Sequence, residues 1–226
     1  MNYRRVMVFG AHPDDEIAMA GTIAKLAMKK VKVTVLTFTD GCEGYPLPEM
    51  KETIVATRRK ESNASDKVLG IHSHVYLEIP DMGLVNNKET LLRCVHAIRK
   101  VRPDAIFMHG PDDVHRDHIA AHAISLEACW QAGEPVAAEL GPPWKTPHVY
   151  FYGSVSGNRP RVSFDVSETE YKRPLAAAKH VSQHILWGLS TDDCVAEAQL
   201  IKRSRRKFVE QFSLADNFIL HDFPPR

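Results

Sequence analysis

No stretch of this chain approaches the ~18 consecutive apolar residues of a membrane span. The N-terminal MNYRRVMVFG holds only a short apolar run broken by charge, unlike a signal peptide. Its four cysteines, Cys42, Cys94, Cys129 and Cys194, form no CxxC pair, which argues against a thiolate zinc site or a thioredoxin-like motif. They read as reduced, mostly structural thiols, and the cytoplasm is the expected compartment. Charge of one sign is also missing: 29 basic residues stand against 28 acidic ones, so nothing electrostatic favours nucleic acid or an anionic membrane as partner. There is no internal repeat, and without a GxSxG elbow the sequence gives no serine-hydrolase reading.

What remains is an ordinary globular composition, 44% hydrophobic and 25% charged over 226 residues, which suits one domain over residues 1–226. Apolar runs alternate with segments of helical period through the first two thirds. That alternation predicts an α/β fold, a Rossmann-like three-layer sandwich around a mostly parallel sheet. Strands are expected at Arg5–Gly10, Lys32–Phe38, His74–Ile79, Ala105–His109, His148–Tyr152 and Arg161–Val166. Helices are expected over Glu16–Lys30, Lys51–Leu69, Lys88–Val101, Ile119–Ala132, Glu168–His180 and Thr191–Phe212. Gly70 supplies a C′ stop and Pro103 forces an end before it. Met19 and Met28 read as core filler, and the basic run Lys202–Lys207 as a solvated helix face.

Two polar clusters, AHPDDE (Ala11–Glu16) and HRDH (His115–His118), each follow a predicted strand. Ligands in open α/β sheets bind outside the carboxyl ends of strands, so both clusters face one crevice. Imidazole nitrogen and carboxylate oxygen suit zinc, and catalytic zinc commonly takes three protein ligands. His12, Asp15 and His118 make such a set. The neighbouring Asp14 or Asp15 can take a proton from water, His115 in its charged form can stabilise an oxyanion, and Asp117 can orient that ring. Spacing alone leaves the roles of Asp14, Asp15, His115 and His118 open. His122 lies one helical turn beyond His118, but the glutamate of HExxH is missing, so a surface or supporting position is expected. His109 reads as a satisfied structural histidine. Arg58 and Glu61, one helical turn apart, suit an exposed ion pair, and Asp81 suits a turn start.

AHPDDEIAMAGTIAKL followed about a hundred residues later by HRDH resembles the PIG-L/LmbE family of zinc-dependent N-deacetylases. TDGCEG, Arg58-x-x-Glu61, LEIPDMGL, Asp165, Lys172 and HVSQ follow in the family's order, so the resemblance covers nearly the whole chain. It implies zinc on His12, Asp15 and His118, Asp14 as general base, His115 as the charge-stabilising histidine and Asp117 as its orienting partner. It also implies sugar contacts by Arg58 and Asp81. The implied reaction is removal of the N-acetyl group from an N-acetylglucosamine-type substrate. Arg116 fills a position that is often proline in relatives. Iron(II), cobalt or manganese also suit a His₂Asp site. Rival readings are an amidase acting on another amide, such as a thiol conjugate, and a Rossmann-like binding module without turnover. Against the module, the first βα turn reads GAHPDD rather than GxGxxG, and two carboxylates there repel phosphate. Homo-oligomerisation is left open by the sequence.

Overall fold

Apolar side chains occupy both faces of the first strand, β1 (Arg5–Gly10), so it needs cover above and below. Val6 and Val8 point to one side and Met7 and Phe9 to the other, all fully buried. The computed structural model, which describes residues 3–153 and 159–215, supplies that cover as two helical layers. On one face Met7, Phe9 and Leu36 pack with Val95 and Ile98 of α3 (Lys88–Val101) and Ile124 and Ala128 of α4 (Arg116–Gly133). On the other, Val6, Val8 and Val33 meet Ile23 of α1 (Ala20–Met28), Leu69 of α2 (Ile54–Leu69) and Ala176 of α5 (Lys172–Ala177).

The other strands are β2 (Lys32–Thr39), β3 (Ser73–Ile79), β4 (Ala105–His109), β5 (His148–Tyr152), β6 (Arg161–Asp165) and β7 (Val209–Leu214). They form one sheet in the order β3-β2-β1-β4-β5-β7-β6, parallel from β3 to β5 and antiparallel at β7 and β6. The chain winds outward from β1 to β3, then returns to place β4 on the other side of β1. That reversal opens a crevice at the carboxyl ends of β1 and β4, where an open α/β sheet takes its ligands. AHPDDE leaves β1 there and HRDH follows β4.

Differences from the sequence reading fall mainly in the last third. The expected helix Thr191–Phe212 stops as α7 (Thr191–Arg203), with Ser204 turning to extended backbone. Val209–Leu214 then alternates in burial as β7, pairing with β5 and β6; its period of two was hidden behind the basic run. Glu168–His180 contains only the short α5, followed by a 3₁₀ turn at Val181–Gln183 and α6 (His184–Trp187). Before α1, Asp15–Met19 is a 3₁₀ turn. Met28, in the last turn of α1, is 64% exposed rather than core, whereas Met19 is fully buried. No helix among the described residues is long and apolar enough to cross a membrane.

Candidate active site

Immediately after β1 the chain doubles back on itself. The amides of Asp14 and Asp15 both approach the His12 carbonyl, at 2.9 and 3.4 Å, and the His12 amide donates to Asp15 Oδ2 at 2.8 Å. This local loop fixes His12 and Asp15 side by side. Across the crevice, α4 begins three residues earlier than the periodicity predicts, and the His115 side chain caps it by accepting the Asp117 amide. The first turn of α4 thereby delivers His118 to the same point.

His12 Nδ1 lies 3.2 Å from His118 Nε2 and 3.7 Å from Asp15 Oδ2, and His118 Nε2 lies 3.5 Å from Asp15 Oδ1. Tetrahedral zinc with ligands at 2.0–2.2 Å holds its donors ~3.4 Å apart, a spacing matched by His12 Nδ1 to His118 Nε2 and by His118 Nε2 to Asp15 Oδ1. Outer contacts aim each ligand. His118 Nδ1 faces Asp113 Oδ2 at 2.9 Å, and His12 Nε2 faces Asp81 Oδ1 at 3.1 Å and Asp117 Oδ2 at 3.4 Å. Carboxylates behind ligating imidazoles fix the tautomer and leave the opposite nitrogen for the metal. Asp15 Oδ2 is taken by the His12 amide and by His109 Nε2 at 2.9 Å, and Oδ1 is the oxygen that faces His118.

Among the described residues three groupings of ligand atoms are compact enough to hold an ion: His12 with His115 and His118, Asp15 with His109 and His118, and His12 with Asp81 and Asp117; His12 and His118 recur, and Asp15 joins His118 in one of them. Of the remaining members, His115 uses Nδ1 on the Asp117 amide, and the others are engaged as well. His109 Nε2 sits between Asp15 Oδ2 and the Ala11 amide, while Asp117 accepts the amides of Met82 and Leu84. Asp81 is the backstop of His12 and also accepts the Met82 amide.

The contacts around this centre differ in part from those the resemblance implies. Asp117, fully buried, turns its carboxylate to the two backbone amides and to His12, while its own amide, not its carboxylate, meets His115. With Nδ1 accepting that amide, His115 keeps its proton on Nε2 and is neutral. Burial and the neighbouring His12 and His118 push its pKa down accordingly. It therefore has an N–H to donate rather than a full charge. Asp81 lies behind His12 with its side chain 6% exposed. Although burial opposes ionisation, His12 holds its pKa down at about 2.

His109 and Asp113 were not singled out as site residues. His109 stacks on the His118 ring at 4.1 Å and touches Asp15, a position its strand-end placement at the sheet reversal signals. Asp113 lies five residues before the ligand it supports, and only the loop's fold brings the two together. His122 is half-buried, with Nδ1 on the His109 carbonyl at 2.9 Å.

Burial favours a neutral His118, but hydrogen bonds and charge from Asp15 and Asp113 raise its pKa to about 9. Without metal the ring is thus protonated at pH 7, and a bound cation must displace that proton. Zinc binding to metal-free protein at pH 7–8 is expected to release at least one proton, and affinity to fall as pH drops below about 9. Calorimetry in buffers of different ionisation enthalpy reads this directly; zero protons released would remove His118 from the ligand set.

Residues 7–129, more than half of the chain, match the family profile of PIG-L, GlcNAc-PI de-N-acetylase. The chain belongs to the PIG-L family. A 1D-myo-inositol 2-acetamido-2-deoxy-alpha-D-glucopyranoside deacetylase of Streptomyces avermitilis is 31% identical over 66% of this chain and 60% of its own. Diacetylchitobiose deacetylase of Thermococcus kodakarensis is 31% identical over 80% of this chain and 70% of its own. The chain spans only 55–60% of the length of several of the inositol-glycoside relatives. In structure, N,N'-diacetylchitobiose deacetylase from Pyrococcus horikoshii superposes with a TM-score of 0.81 over 99% of this chain and 88% of that one, at 23% identity, which shows the fold.

Three further segments interlock behind Asp14. Arg58 is 3% exposed; its Nη2 donates to Asp14 Oδ2 at 3.0 Å and its Nη1 to the Gly41 carbonyl at 3.2 Å. It passes through the TDGCEG loop where a Cβ on Gly41 would come within 2.5 Å of Nη1, and one on Gly44 within 2.2 Å. Gln183 of HVSQ donates to the Gly44 carbonyl, and Ser182 to Glu61 through both its amide and its hydroxyl. Glu61 thus pairs with Ser182 rather than with Arg58. Gly41 has φ +69, so a side chain there meets strain as well as a clash; Gly44 faces the clash alone. Gly44→Ala is expected to displace Arg58 and with it Asp14, lowering kcat ~10–100-fold in a folded protein, since about 1 Å of misplacement costs that much. Unchanged kcat, with folding checked by circular dichroism, would show that Asp14 does not depend on this cradle.

Proposed function

We propose that this chain is a zinc-dependent hydrolase that removes the acetyl group from an N-acetylated amino sugar, an N-acetylglucosamine derivative. The observation that carries the reading is the pairing of a three-donor metal face, His12, Asp15 and His118, with an adjacent carboxylate, Asp14, held from behind by Arg58. Both the family and the relatives named as sugar deacetylases support it.

Zinc supplies Lewis acidity at an amide carbonyl and makes water deprotonate near neutral pH. The protein's own groups do the rest. Arg58 fixes Asp14 through Oδ2, which leaves Oδ1 to accept a proton from the attacking water and return it to the departing amine. His115 donates from Nε2 to the oxygen that gains charge at the former carbonyl. Water is consumed and acetate and a free amine leave. Because the side chains of Arg58 and Asp81 are buried and occupied behind Asp14 and His12, we assign them to positioning these groups rather than to the sugar contacts the resemblance implies.

Four free cysteines, three of them buried, fit a reducing compartment, and the cytoplasm is the location we propose. The test is acetate release from N-acetylglucosamine, its inositol glycoside and diacetylchitobiose, beside amide-linked thiol conjugates. Acetate from the sugars supports the reading. Cleavage confined to the thiol conjugates would replace it with the rival amidase.

A further inference from the structure

Beside the catalytic aspartates lies a cavity of about 420 Å³ whose walls include Asp14, Asp15, Ile17, Pro174, Trp187 and Leu189. Any molecule with its amide at Asp14 has this space next to it. Its lining is apolar apart from carboxylates and a single cation, Arg173. Each nitrogen of that guanidinium has a partner: Nε with Glu170 at 2.8 Å, Nη1 with the carbonyls of Ile17 and Ala18 at 2.7 and 3.1 Å, and Nη2 with Glu210. Glu197 adds a further exposed acid at the rim. With Asp14 and Asp15 already committed to Arg58 and to the metal face, a phosphate here would meet the acid of Glu197 and no uncommitted cation, which is costly at short range.

The apolar lining continues outward. Val181, Ile185 and Leu186 are 58, 63 and 56% exposed, and Trp187 and Leu189 lead from them into the cavity at 37 and 40%. Exposed large apolar side chains adjoining in sequence those that line a concave site mark a binding surface.

Building on the deacetylase reading above, we propose that this cavity is the subsite for the part of the substrate beyond the sugar, and that it takes an uncharged, apolar aglycone rather than a phosphate-bearing one. Sealing an alkyl or aryl group against Trp187 and Leu189 removes apolar surface from water on both partners. The neutralised Arg173 and the surrounding acids reject an anion.

The test compares kcat/KM for acetate release from methyl, octyl and phenyl glycosides of N-acetylglucosamine, in both anomeric forms, and from N-acetylglucosamine 1-phosphate. Octyl or phenyl glycosides should exceed the methyl glycoside by ~10–100-fold, the range an added apolar contact gives, and the phosphate should be poorest. Trp187→Ala should compress the octyl-to-methyl ratio several-fold, with Leu189→Ala doing so independently and a melting curve confirming the fold of each. A wild-type ratio near one, preference for the phosphate, or a ratio unmoved in both variants overturns the proposal. So does a Trp187→Ala protein whose ratio holds while its sedimentation mass falls, which would make this face a contact between copies. If no glycoside releases acetate, the deacetylase reading fails and this inference with it; if the methyl glycoside is cleaved without preference, only this inference fails.

Discussion

Asp14→Asn is expected to lower kcat by ~10²–10⁴-fold while zinc content and KM stay near wild type, the range general acid–base catalysis supplies. Asparagine keeps the shape of the side chain and an oxygen for Arg58 Nη2, now 3.0 Å from Asp14 Oδ2. What it lacks is a basic oxygen. Steady-state acetate release together with elemental analysis separates this from loss of metal. Near wild-type turnover under saturating zinc would remove Asp14 as the base and leave Asp15 or a solvent proton path in its place.

His118→Ala should act through the metal instead. Two donors, His12 and Asp15, remain, and two carboxylates lose their partner: Asp15 Oδ1, 3.5 Å from the ring, and Asp113 Oδ2, 2.9 Å from it. Removing only the outer partner, as in Asp113→Asn, is expected to weaken zinc affinity ~10–100-fold. Losing the ligand itself should exceed that and abolish turnover at stoichiometric zinc. Competition with a chromogenic chelator orders the two variants. Equal affinities for His118→Ala and wild type would contradict the ligand assignment, whereas a weak effect of Asp113→Asn alone would show only that His118 needs no orienting carboxylate.

Much of the frame was readable from the residues because it rests on local periodicity. The five parallel strands, the helices between them and the stop at Gly70, where φ is +79, follow from apolar spacing and turn chemistry. Placing AHPDDE and HRDH at the ends of β1 and β4 follows from the same pattern. Of the antiparallel edge, β6 was expected but β7 was missed, because it follows a basic, irregular segment that extends a helical reading past Arg203.

Within the site, residue types told more than partnerships did. His12, Asp15 and His118 converge as expected, yet Arg58 reaches Asp14 across 44 positions and Asp81 reaches His12 across 69. No spacing rule contains such contacts. Arg58 and Glu61 have the spacing of an exposed pair, but burial of α2 against the TDGCEG loop and HVSQ sends them to different partners. The neutral state of His115 was likewise invisible, since it depends on the ring capping α4.

Titrating zinc into metal-free protein while following acetate release from an N-acetylglucosamine glycoside tests the central claim most directly. Activity should be absent at the start, rise in proportion to added metal and level off at one equivalent. Full activity without metal, or stoichiometric binding that yields no acetate from any N-acetylated sugar, would contradict it.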